Sequence, residues 1–304
     1  MSFNEVASQI TKESIVNAVY IDDDILLPFE SPEKYFDHSE LYRSFKNNDC
    51  LIDFNRFSKE EQTNYKKILS NKDLLVLDWH LMQSVDDLSA TFEILNTATQ
   101  TSSLHFCVIY TRQEKEVLAE KVILNIASYY SGLNRSISEE AFNKFIEFLD
   151  ATGLDQAEQE KILENLTQLG KELFLESKHN EKTKEIITKI NQIINTIGGI
   201  KVFKPFLDTL NLPETNFLKQ MICLGFLLGK FEVPEISNKK TINTSSDKLS
   251  IQINSLYIKV FSKDDIAENR LYDAFTSSLT SESNIFLTIL GLESKRSSNP
   301  SLGF

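Results

Sequence analysis

Five side chains in this sequence stand where they could do chemistry, each directly after a short apolar run. Asp22 and Asp23 follow Ala18-Val19-Tyr20-Ile21, and Asp78 follows Leu74-Leu75-Val76-Leu77. Thr111 follows Phe106-Cys107-Val108-Ile109-Tyr110, and Lys204 follows Ile200-Lys201-Val202-Phe203. Three carboxylates brought together repel one another. A hard divalent cation such as Mg²⁺ is their natural partner, because it prefers carboxylate oxygens, a backbone carbonyl and water. Three carboxylates, one divalent cation and one lysine sum to neutrality, and the threonine hydroxyl adds a directed hydrogen bond. That set suits phosphoryl transfer onto an aspartate, with cation and ammonium neutralising the phosphoryl oxygens of an aspartyl phosphate.

The elements that must position these residues follow from the runs. Runs this short and apolar on both faces suit buried strands of a parallel sheet, and Cys50-Leu51-Ile52 is a weaker example. Helix signals lie between them. Ser58 and Glu61 form a capping box ahead of Ile68-Leu69, and Leu88, Phe92 and Leu95 recur at helical spacing. The alternation predicts α/β layers with right-handed crossovers. Ligands of such sheets bind beyond the carboxyl ends of the strands, where the five residues stand.

From Glu114 to Thr196 the pattern is almost wholly helical. Ile162, Leu166, Leu169 and Leu173 make one stripe and Ile186, Ile190, Ile193 and Ile197 another. A polar break at Lys178-His179-Asn180 between them predicts a helical hairpin. Beyond residue 206 the sequence predicts a buried helix over 217–231 and a polar linker over 237–248. A hairpin follows, from Ile251-Gln252-Ile253 to Tyr257-Ile258-Lys259-Val260 around Asn254-Ser255. A helix over about 266–279, an apolar stretch at 285–292 and an unstructured tail complete the chain.

In chain order and strand context, Ile21-Asp22-Asp23, Leu75-Val76-Leu77-Asp78-Trp79-His80, Ile109-Tyr110-Thr111 and Val202-Phe203-Lys204-Pro205-Phe206 resemble the receiver domain of two-component response regulators. The resemblance implies a doubly wound parallel five-stranded sheet of receiver or flavodoxin-like type. It makes Asp78 the phosphoacceptor and Asp23 a direct Mg²⁺ ligand, with Asp22 acting through water and the His80 carbonyl completing the protein ligands. Thr111 becomes the switch hydroxyl and Lys204 the lysine that pairs with the phosphoryl group.

Two departures accompany it. Thr111 and Lys204 lie 93 residues apart, where one crossover needs only about a dozen or more. An α-helical subdomain is therefore expected between them. The aromatic expected three places before the lysine is Lys201. The expected division is a receiver over 1–112 and 198–212, an inserted helical hairpin or bundle over 113–197, and a small α+β extension over 213–304. An insertion of this kind resembles divergent receivers of bacterial defence systems. The implied partners are a sensor histidine kinase or phosphotransfer protein and a downstream effector, with a homodimer also allowed.

Composition narrows the classes. With 41% hydrophobic and 25% charged residues, the chain reads as globular rather than disordered. No apolar run approaches the roughly 18 residues of a membrane span. The net charge of −12 disfavours nucleic-acid and anionic-membrane partners. Cys50, Cys107 and Cys223 show no zinc or disulfide spacing, and with no signal-peptide layout the expectation is a reduced, cytoplasmic protein.

Blander readings stand beside these. The aspartates at 22–24 could only cap a helix, Asp78 could be a turn residue, and Lys204-Pro205 a strand exit. As a different class, Asp22 and Asp24 satisfy the DxD of haloacid-dehalogenase-type phosphohydrolases, but no acidic pair follows Lys204. A degenerate receiver acting only as an interaction module is the third reading. Intact chemistry at all five positions speaks against it. The expected role is a signalling receiver, not a metabolic enzyme.

Overall fold

A computed structural model describes residues 3–26, 38–58, 64–81, 88–112, 117–130, 135–175, 180–197, 240, 242–244 and 249–281. The strands described are β1 (Asn17–Asp22), β2 (Leu51–Arg56), β3 (Leu74–Leu77), β4 (Phe106–Thr111), β5 (Ile242–Thr244), β6 (Ser250–Ile253) and β7 (Leu256–Ser262). The helices are α1 (Phe3–Ser14), α2 (Ser39–Lys46), α3 (Tyr65–Leu69), α4 (Ser89–Ala98), α5 (Val117–Tyr130), α6 (Arg135–Ala151), α7 (Gln156–Leu175), α8 (Asn180–Thr196) and α9 (Leu271–Ser281). A 3-10 turn at Glu268–Arg270 leads into α9.

The chain divides into two compact units, Met1–Ala119 with Ser255–Phe304, and Glu120–Asn254. In the first, five strands run parallel in the order β2-β1-β3-β4-β7. All four residues of β3 and all six of β4 are buried, as expected of strands covered on both faces. On one face Tyr20, Val76, Val108 and Tyr110 pack with Leu41 and Phe45 of α2 and with Leu271, Phe275 and Leu279 of α9. Asp73, just before β3, accepts hydrogen bonds from the N–H groups of Val16 and Asn17 (3.1 and 3.0 Å), which ties the starts of β1 and β3 together.

Register does the positioning. Ile21 lies opposite Leu77, Leu77 opposite Ile109, and Thr111 opposite Ser262. The carboxyl ends of β1, β3, β4 and β7 are therefore level, so Asp22, Asp23, Asp78, Thr111 and the residue after Ser262 emerge along one edge of the sheet.

This closes the sheet differently from the expectation. The strand beside β4 is β7, which the sequence reading had placed in a C-terminal hairpin. The expected strand at 200–203 lies outside the described residues. Among the described residues, 255–281 group with the first unit, and the second extends to Asn254. Lys259, in the middle of β7 and buried, breaks the apolar run, and β6 and β7 are the two strands of the predicted hairpin, neighbours in sheet order. The segment read as a polar linker contains β5, antiparallel to β6; three residues carry too little periodicity to reveal a strand. Asn64, rather than the Ser58 box, caps α3, its side chain accepting from the Lys67 N–H at 3.2 Å. The predicted helix at 217–231 and the stretch at 285–292 lie outside the described residues.

In the second unit, α7 and α8 pack on each other and bury Leu166, Leu169, Ile186, Ile190 and Ile197. These are members of the two predicted stripes. Residues 122–130 of α5 are all buried, and the helix lies within the stretch over 114–196 that the sequence predicts to be helical.

One prediction follows from α9. Phe275 is fully buried and meets Phe106 edge-on, with ring centroids 5.9 Å apart. Phe275→Ala leaves a cavity under β4 and is expected to cost about 3–5 kcal/mol of stability in urea denaturation. A helix belonging to a separate extension would leave the receiver-sheet transition unmoved.

Candidate functional site

Lys263 follows the last residue of β7, and its backbone N–H donates to the Thr111 carbonyl at 2.8 Å. Its ammonium lies between two carboxylates, 2.9 Å from Asp22 Oδ2 and 2.8 Å from Asp78 Oδ1. Two rings flank it, with centroids 6.0 Å away for Tyr20 and 5.7 Å for Tyr110, within cation–π range. The Tyr110 hydroxyl donates to the Ile266 carbonyl at 2.7 Å, so the turn after Lys263 is anchored to β4.

The carboxylates are held as tightly. Asp22 Oδ1 accepts from the Asp24 N–H at 2.9 Å, and Asp22 Oδ2 accepts from the Tyr20 hydroxyl as well as from Lys263. Asp78 Oδ2 accepts from the His80 N–H at 3.0 Å, which folds the chain after β3 into a turn beginning at the carboxylate. Trp79 within that turn is fixed by Thr91, whose hydroxyl donates to its carbonyl at 2.8 Å. Thr111 is buried at the end of β4.

Residues 14–163 match the response receiver domain family. The chain carries a response receiver domain. No curated protein and no solved structure is similar enough to the chain to count as a match. The matched span contains Asp22, Asp23, Asp78, His80 and Thr111, and it ends well before Lys263.

The receiver's acids meet as the sequence suggests. Asp22, Asp23 and Asp78 offer oxygens that lie within 4.8 Å of one another. Lys204 lies outside the described residues, and the lysine that donates to Asp22 and Asp78 is Lys263. A signal for it existed in Leu256–Ser262, a strand the length of β4 or longer with a lysine directly at its end. The aromatic question moves with it. The residue three places before Lys263 is Val260, buried and opposite Ile109, so this position is aliphatic.

Electrostatics distinguish the three acids. Burial pushes the Asp78 carboxyl up to about 6, against the pull of Lys263. Burial also acts on Asp22, but the charge and hydrogen bond of Lys263, with Tyr20 and the Asp24 N–H, outweigh it and hold that carboxyl below its ordinary value. Asp23 is half-buried, and desolvation with the neighbouring charges of Asp22 and Asp24 raises it to about 6. One ammonium against three carboxylates leaves a charge of −2 on an all-oxygen donor set, which fits a hard divalent cation. Asp24 is exposed and outside this group. Among the described residues no helix is long and apolar enough to cross a membrane.

Asp23→Ala removes the one carboxylate of the three that receives no hydrogen bond from Lys263. Loss of even an outer partner of a metal site typically costs 10–100-fold in affinity, so at least about a tenfold loss of Mg²⁺ affinity is expected. Fluorescence of Trp79, the only tryptophan, would report it in a Mg²⁺ titration. Unchanged affinity would remove Asp23 from the ligand set.

Proposed function

We propose that this receiver takes up a phosphoryl group on Asp78 in a Mg²⁺-dependent reaction and serves as a switch or relay in a two-component pathway. The observation that carries this reading is the Lys263 ammonium bridging Asp22 and Asp78 at the carboxyl edge of the sheet. An Asp78 oxygen forms the new P–O bond while the bond between phosphorus and the donor breaks, and the leaving group keeps that electron pair. The Lys263 ammonium shifts from the two carboxylates to a phosphoryl oxygen, and Thr111, at the same edge, supplies a hydroxyl to another. Asp22, Asp23 and Asp78, with the His80 carbonyl, would hold Mg²⁺, which offsets charge on the transferring phosphoryl group.

The phosphodonor is a sensor kinase or a phosphotransfer protein, and the chain turns over no metabolite of its own. The exposure of Asp24 favours Asp78 as acceptor over a DxD nucleophile of the haloacid-dehalogenase kind. Intact-mass measurement after incubation with Mg²⁺ and a small acyl phosphate tests the proposal. One added phosphoryl group, absent when Mg²⁺ is chelated, is expected. Uptake that persists under chelation would overturn the Mg²⁺-dependent mechanism.

A further inference from the structure

Tyr20 sits beneath the site without being one of its acids, and its surroundings leave it little freedom. It is fully buried. His38 meets its ring edge-on at 5.0 Å and Phe54 does so at 5.9 Å. His38 is itself held, its Nδ1 lying 2.7 Å from Glu268 Oε1 and its ring stacked on Phe54. A ring wedged this way cannot swing its hydroxyl to another acceptor. That hydroxyl donates to Asp22 Oδ2, the same oxygen that receives the Lys263 ammonium.

One oxygen therefore carries two donors of different mobility. Lys263 has a flexible stem and a second partner in Asp78, whereas the Tyr20 hydroxyl is fixed. When a phosphoryl group on Asp78 draws the ammonium towards itself, Asp22 Oδ2 loses one of its two donors. A buried carboxylate left short of donors carries a large desolvation cost. With the Tyr20 hydroxyl and the Asp24 N–H still in place, that cost falls.

Resting on the phosphoacceptor reading above, we infer that Tyr20 is a positioning residue for phosphoryl transfer, its fixed hydroxyl holding Asp22 so that Lys263 can be released to the phosphoryl group. Its effect is greatest in the phosphorylated state, where Lys263 has left Asp22. Tyr20→Phe keeps the ring and its packing and removes only the donor.

The test uses beryllofluoride, which occupies the phosphoryl position, on the full chain with saturating Mg²⁺. Hydrogen bonds to charged groups are strong enough that Tyr20→Phe should weaken beryllofluoride binding by about tenfold or more. Mg²⁺ affinity without beryllofluoride is measured alongside, because the Tyr20 hydroxyl is an outer partner of Asp22 and its loss lowers that affinity too; Mg²⁺ is therefore kept saturating for both proteins. The deciding measurement is the same substitution made in a Lys263→Ala background. There Asp22 has no ammonium to lose, so Tyr20→Phe should have no further effect on beryllofluoride binding.

Equal losses in both backgrounds would mean that Tyr20 only supports the fold, and no loss in either would also overturn the inference. Failure of the underlying reading looks different. In that case Asp78→Asn would still accept a phosphoryl group, whatever Tyr20→Phe does.

Discussion

Asp78→Asn abolishes phosphoryl uptake from a small acyl phosphate while the protein stays folded. The amide has the size of the carboxyl group but no anionic oxygen to attack phosphorus, so the loss is complete rather than partial. The fold tolerates the change for a reason visible in the site. Burial raises the Asp78 carboxyl to about 6, so its charge is not favoured by its surroundings, and the amide oxygen can still accept one of the two bonds, from the His80 N–H or from the Lys263 ammonium. Intact mass reads the phosphoryl group and circular dichroism reads the fold. Phosphate incorporated by the variant as by the parent would place the acceptor elsewhere.

Lys263→Ala is expected to destabilise the protein, and the size of the loss depends on the metal. It leaves Asp22 and Asp78, with side chains only 2% and 10% exposed, facing each other without a cation. Removing one partner of a buried ion pair typically costs about 3–5 kcal/mol, and two carboxylates are orphaned here. Urea denaturation in chelator should show a loss of that order. Mg²⁺ should restore more stability to the variant than it adds to the parent, because a ligand that binds only the folded state stabilises in proportion to its affinity, and the competing ammonium is gone. Lys204→Ala is expected to leave both quantities unchanged. If Lys204→Ala instead shows the Mg²⁺-sensitive loss and Lys263→Ala does not, the site lysine has been misassigned.

Much of this site was legible along the chain. Asp22, Asp23, Asp78 and Thr111 each follow an apolar run whose residues are buried in a parallel strand. The apolar run and its polar end are neighbours in sequence, so the strand and what stands at its carboxyl end are written together. The two stripes behind α7 and α8 were legible for the same local reason. Strand β5, three residues long, carried no period to detect.

The sequence by itself determined the acids, the hydroxyl, the strands that carry them and the need for a positive charge beside the acids. Which lysine answers that need was decided only by the tertiary structure. Lys204 and Lys263 both follow a short run rich in apolar residues, and they lie 93 and 152 residues beyond Thr111. Closing the longer connection costs only about 0.4 kcal/mol more, because loop entropy grows with the logarithm of length. Nearness in the chain therefore gives the first lysine almost no advantage. The decision falls to contacts between distant segments. Strand β7 pairs with β4 over six residues, and α9 seals the core with Leu271, Phe275 and Leu279. Each fully buried side chain of that kind is worth about 1.5–3 kcal/mol, several times the difference in closure, and it carries Lys263 to the two aspartates.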